Sequence, residues 1–131
     1  MRTTPNAILQ MSRGQQLAWA GGLFEGEGCF TPAHGSPKSG ARYSYPRAIL
    51  AMADEDVVNT FYQVVNCLGH IRTEIRAPNR LDLYRWEVQA RSEFDQFISL
   101  ISPYLSDRRL AALQQMVASA TPRQKVSWTR A

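Results

Sequence analysis

An apolar run, Leu17-Ala-Trp-Ala-Gly-Gly-Leu-Phe24, ends in two glutamates interleaved with glycine, Glu25-Gly-Glu-Gly28. Read as a helix, it ends with the wrong charge, because carboxylates at a C-terminus face the negative pole of the helix dipole at a cost of about 0.3–1 kcal/mol each. An apolar run cannot screen them, so a positive group must approach. Gly26 and Gly28 carry no side chain where the chain leaves the helix, and carbonyl and carboxylate oxygens can come close to a ligand there. Oxygen donors so arranged suit a hard divalent cation. On this reading Glu27 and Gly26 are candidate metal ligands.

The elements that must hold these groups follow from local signals. Ser12-Arg-Gly-Gln15 fits a capping box, so the first helix is expected over about residues 13–26, after a loose arm at 1–11. That helix has no polar stripe and must be buried all round. In a small domain this means its own core on one side and a second chain on the other, with Ala18, Gly21, Gly22 and Glu25 at helical spacing for close approach. A strand over 29–33, a turn at 34–40 and a longer strand over about 41–52 come next. Asp54 then opens a helix that runs to Cys67, with Val57, Phe61, Val64 and Leu68 at helical spacing, and Gly69 ends it.

Strands over 70–76 and 81–90 form a hairpin through Ala77-Pro-Asn-Arg80. Their alternation puts Arg72, Glu74, Arg76, Arg85, Glu87 and Gln89 on one face and apolar residues on the other. Ser92 caps a helix stopped by Ser102-Pro103, and Ser106 opens the last helix, followed by a basic tail over 119–131. The fold class is therefore α+β: helix, two strands, helix, two strands, two helices, with one sheet face apolar under the helices and one polar.

Composition narrows the functions. At 131 residues with 44% hydrophobic and 20% charged residues, the chain is one domain with a single core. Neither a bilayer-spanning apolar run nor a signal-peptide core is visible, so a soluble, intracellular protein with no membrane partner is expected. Net charge is +4, and Lys38 and Lys125 are the only lysines. An arginine-heavy basic domain points to nucleic acid, or else reflects codon bias. Cys29 and Cys67 have no Cys-x-x-Cys spacing and are expected as buried thiols. His34 and His70 are isolated, and no nucleophilic triad can be assembled.

The segment Ala20-Gly-Gly-Leu-Phe-Glu-Gly-Glu-Gly28 resembles the LAGLIDADG motif of homing endonucleases. It matches at Gly22, Leu23, the hydrophobe Phe24, the acids Glu25 and Glu27, and the closing Gly28. It departs at Ala20, Gly21 and Gly26, and in having Glu for Asp at both acidic places. The element order over residues 12–118 is also that of the single-motif fold, αββαββα(α) with a four-stranded antiparallel DNA-reading sheet. With no second motif, the resemblance implies a homodimer whose motif helices pack about a twofold axis.

It further implies a site-specific, Mg2+-dependent endonuclease, with Mn2+ as a substitute, associated with intron or intein mobility. Such an enzyme cuts both strands of a long pseudo-palindromic duplex across the minor groove. The alternative is a LAGLIDADG-like binder of DNA or RNA that does not cut, such as a splicing maturase or a regulator.

By the family pattern, Glu27 matches the catalytic metal-binding acid, and Glu25 the acid that shapes or caps the helix end. Two further catalytic candidates are Asp54, otherwise only a helix cap, and Arg108, otherwise a solvated helix residue. DNA-contact candidates are Arg47, Arg72, Arg76 and Arg85, with Thr31, Arg42, Tyr45, Glu74, Glu87 and Gln89 behind them. Glu74 and Glu87 either read cytosine amino groups or pair with arginines across the hairpin. A ten-residue strand rises about 33 Å, close to one B-DNA turn of about 34 Å.

Overall fold

Ser12 closes the capping box expected of it: its Oγ accepts from the Gln15 N–H, and the Gln15 side chain accepts from the Ser12 N–H at 3.1 Å. In the computed structural model, which describes residues 5–35 and 43–120, this cap opens helix α2 (Arg13–Glu27). Ahead of it stands a short helix α1 (Pro5–Leu9), begun by a proline whose missing N–H costs nothing in a first turn. After α2 come β1 (Gly28–Phe30), β2 (Ala33–Gly35), β3 (Tyr43–Tyr45), β4 (Ala48–Met52), α3 (Glu55–Val64), β5 (His70–Glu74), β6 (Leu83–Val88), α4 (Arg91–Ile101), a 3-10 turn (Ser102–Tyr104) and α5 (Asp107–Ser119).

The main sheet is antiparallel with strand order β1-β4-β6-β5. A separate two-stranded ladder joins β2 to β3. Phe30 pairs with Ala48 and Ala33 with Tyr45, so one register runs through both ladders and sets Pro32 opposite Pro46. Neither proline has an N–H to donate, and the ladder lapses between them. Each long strand expected here is thus two short ones, and the turn expected at 34–40 is already strand at His34 and Gly35.

Ala48, Leu50, Trp86 and Val88 point from the sheet into the core, where α2, α3 and α4 cover them. Trp86 is wholly buried, with ring centroids 4.8 Å from Phe97 and 4.9 Å from Phe61. Its indole N–H donates to the Leu68 carbonyl at 2.8 Å, so burial leaves no polar atom unpaired.

Four expectations are corrected. The loose arm at 1–11 is helical at residues 5–9, and Ile8 is only 2% exposed and belongs to the core. Helix α3 ends at Val64 instead of Cys67, because Asn66 and Cys67 take positive φ. That left-handed turn is held by Arg13, which donates to the Val64 carbonyl and the Asn66 side chain, both at 2.8 Å. Cys29 and Cys67 are exposed, the first on the sheet face away from the core and the second in this turn. Helix α4 begins one residue before Ser92, with Ala90 at the cap position and no side-chain cap.

Truncating the Ile8 side chain (Ile8→Ala) should lower unfolding stability by about 2–5 kcal/mol, the range for a buried aliphatic residue. Urea denaturation measures it, and a change within about 0.5 kcal/mol would return this segment to a surface arm.

Candidate nucleic-acid interface and helix-end acids

The positive group demanded by Glu25 comes from the same chain. Its carboxylate accepts from the Ser106 N–H at 3.0 Å and the Ser106 hydroxyl at 2.8 Å. Arg108 and Arg109 lie 3.7 and 4.0 Å from it, and Arg109 also donates to the Glu25 carbonyl at 2.9 Å. The C-terminus of α2 and the N-terminus of α5 are thereby joined, the negative end of one helix dipole against the positive end of another. Ser106 does double duty, because its Oγ also accepts from the Arg109 N–H as the helix cap. Sequence reasoning used Ser106 only as a cap and missed Arg109; the signal available was the doubled arginine one turn into a helix.

Glu27, two residues on, is treated differently. It is exposed, and its side chain has no hydrogen bond or ion pair among the described residues. Gly26 is exposed beside it, with open space where a side chain would stand. Gly28 is buried, and a Cβ there would run into the Phe24 ring, so the step from helix to strand requires glycine. Asp54 follows the end of β4, and Gly28 pairs with Leu50 near that same end. It sits at the N-cap of α3 with extended backbone but makes no side-chain cap bond. Arg108 is 79% exposed. Glu25 and Arg108 are therefore in contact, with Glu27 two residues further along the chain.

The dimer-interface candidates divide. Ala18 and Gly22 lie on the exposed face of α2, in line with Gly14 and Gly26 at four-residue spacing. Gly21 and Glu25 do not share it. A Cβ on Gly21 would strike the Tyr104 side chain, so that glycine serves packing within the chain, and the Glu25 side chain is engaged with α5. A helix apolar all round does not reveal which small residues face inward.

The polar sheet face carries Thr31, Arg47, Arg72, Glu74, Arg85 and Glu87. Glu87 is buried, with its side chain 4% exposed, and has three arginines around it, Arg72 at 3.6 Å and Arg47 and Arg85 at 3.8 Å, with the His70 imidazole at 3.4 Å. Its carboxylate lies among these arginines, the pairing that is the alternative to reading a base. Glu74 likewise pairs with Arg85, at 3.3 Å. Arg72 is 56% exposed, and Arg76 is exposed beyond the end of β5. Tyr45 stacks on Tyr43 with centroids 5.8 Å apart, and with Gln89 and Pro46 it lines a groove at the far end of the sheet. Arg42 and residues 121–131 lie outside the described residues.

This architecture matches that of LAGLIDADG homing endonucleases. I-TnaI superposes with a TM-score of 0.60 at 18% identity, over 88% of this chain and 70% of that one. I-CvuI, solved in complex with a DNA target, gives 0.61 at 15% identity, over 79% and 67%. I-GzeII, also solved with its DNA target, gives 0.54 at 16% identity over 67% of this chain, which spans only 28% of that longer protein. No protein-family model and no curated protein matches the chain. No helix among the described residues is long and apolar enough to cross a membrane.

The backbone N–H and hydroxyl of Ser106, and then Arg109 and Arg108, hold the Glu25 carboxyl below its ordinary pKa of 4.5. A lowered folded-state pKa stabilises fully above the unfolded value and is lost as pH falls through the folded one. The stability advantage of the native chain over Glu25→Gln should therefore be constant above about pH 5.5, about one unit above that value, and shrink as the solution is acidified below pH 4.5. Paired urea titrations along a pH series test this. A gap that stays constant down to acid would remove the ionic part of the contact.

Proposed function

We propose that this chain is one subunit of a homodimeric, Mg2+-dependent endonuclease that cuts a long, pseudo-palindromic double-stranded DNA at a specific site. The observation that carries the reading is Glu27. It is an exposed carboxylate with no ion pair among the described residues, at the end of a helix whose other acid, Glu25, is fully engaged. A surface glutamate of purely structural use would not need Gly26 open beside it or a sheet face of arginines beyond it. The fold, shared with nucleases solved on DNA, supports the same reading.

Metal binding is consistent with the donor set. Among the described residues no cluster of three or more metal-ligating side chains occurs. One chain thus offers the Glu27 carboxylate and the Gly26 carbonyl, both of the hard oxygen type that Mg2+ and Mn2+ accept. The second Glu27 of a dimer and the phosphate oxygens of DNA would supply the rest. I-CvuI has been solved with DNA in the presence of Mg and of Ca. A divalent ion bound there supplies Lewis acidity and lowers the pKa of its water.

The chain's own groups have separate tasks. Arg108, held by one ion pair at 3.7 Å, neutralises charge at the phosphate. A guanidinium remains protonated and takes no part as a base. Asp54, near the same end of the sheet as Glu27, is the second carboxylate assigned to ordering water. Arg47, Arg72, Arg76 and Arg85 face the duplex, with Thr31 at the edge. In the proposed dimer, Ala18 and Gly22 let two α2 helices meet and bring the two Glu27 residues together.

Two experiments test the proposal. Incubating the protein and Mg2+ with a randomised linear duplex library should give double-strand breaks at one pseudo-palindromic sequence, abolished by EDTA. Glu27→Gln should lose cutting by at least about 100-fold, the scale on which removing a positioned catalytic group is felt, while keeping DNA affinity. Undiminished cutting by that variant would sink the assignment, and tight specific binding without cutting by the native chain would leave a DNA-binding protein. Separately, Gly22→Arg points a long side chain into space that is open within one chain. Sedimentation should show it monomeric and folded where the native chain is a dimer.

A further inference from the structure

The polar sheet face contains a buried charge, Glu87. Cross-strand pairing sets Arg72 directly opposite Arg85, and His70 and Ile49 opposite Glu87. Two like charges directly opposite one another are unfavourable, and a buried carboxylate is costly unless paired. Each difficulty answers the other, since Glu87 lies 3.6 Å from Arg72 and 3.8 Å from Arg85 and Arg47. At those separations the guanidiniums are held by charge, and their donors are not spent in hydrogen bonds to the carboxylate. Nε of Arg47 and Nε of Arg85 are buried without any acceptor, while Nη1 of Arg85 donates to Glu74 at 3.3 Å, so both arginines keep an unspent donor in the free protein.

We infer that Glu87 is a positioning residue for sequence reading: it orients Arg47, Arg72 and Arg85 toward the duplex and cancels part of their charge. Sequence is read when a donor fork is fixed against a base edge, whereas phosphate attraction needs only positive charge nearby. One buried carboxylate beneath three arginines serves discrimination at the expense of indiscriminate affinity. Removing its charge with an isosteric amide should move the two in opposite directions, a pattern that mere loss of structure cannot produce. The inference rests on the proposed DNA-binding reading for its ligand, and on the arginine geometry for its mechanism.

The test uses Glu87→Gln and Glu87→Asp in the full chain, with two readouts. Binding is measured to the duplex that the native protein enriches from a random library and to a scrambled duplex of the same composition. The expected result for Glu87→Gln is tighter binding to the scrambled duplex and a loss of discrimination of about ten-fold or more, with Glu87→Asp recovering part of it. Arginine Nε–H resonances are followed without DNA, the Trp86 indole N–H reporting the fold. Those of Arg47, Arg72 and Arg85 should collapse toward the free-arginine position in Glu87→Gln while the indole signal stays.

Equal weakening on both duplexes would make Glu87 structural only and overturn the inference. So would unchanged discrimination with unchanged arginine resonances. If the native chain binds neither duplex, the DNA reading fails along with the reading role inferred for Glu87, and the arginine spectra alone then decide whether Glu87 orients its neighbours.

Discussion

Glu25 and Ser106 join two helix ends that would otherwise both be poorly satisfied. Helix α2 terminates in acids, which its own dipole disfavours, and α5 begins with N–H groups that lack partners within the helix. The carboxylate of Glu25 meets the Ser106 N–H and hydroxyl, and Arg109 meets the Glu25 carbonyl. Further along, helix α5 buries Leu113 and Met116 in the core. The clasp fixes the start of this helix, where Arg108 can reach, and how the chain leaves α2. With Glu25 committed, Glu27 is the acid left available.

The sheet shows the complementary arrangement. There a single carboxylate, Glu87, is buried among arginines whose charge exceeds its own. The result is a positive face of defined geometry instead of a set of independent surface arginines. Beneath it, Trp86 and its aromatic neighbours anchor the same strand, β6, that carries Arg85 and Glu87. The position of the polar array is thus tied to the aromatic centre of the core, which fixes its geometry.

Much of this was legible from residues alone. The capping box at Ser12, the alternation of Arg72 and Glu74 with Ile71 and Thr73, and the Ser106 cap are local patterns, and each formed. Where the reading failed, the missing information was not local. Helix α1 has five residues, too few for a period, and it is helical because Ile8 finds the core and Gln16 accepts the task of bonding the Leu9 carbonyl. The lapse in the long hairpin depends on Pro32 facing Pro46, a fact of register that neither proline carries by itself. The exposure of Cys67 follows from a left-handed turn pinned by Arg13, more than 50 residues away.

The acids and arginines divide along the same line. Residue types and periodicity determined that two glutamates end an apolar helix and that long polar side chains share one sheet face. Those are consequences of helix dipoles, pleat and hydrophobic burial, and they hold whatever the rest of the chain does. Only tertiary structure decided that Arg109 and Ser106 answer Glu25 while Glu27 stays open. It also turned Gly21 toward Tyr104 and Gly22 outward, and sank Glu87 beneath the arginines it resembles a partner to in sequence. The physical reason is that charge pairing and close packing act over a few ångströms, between groups that the chain separates by up to 84 residues.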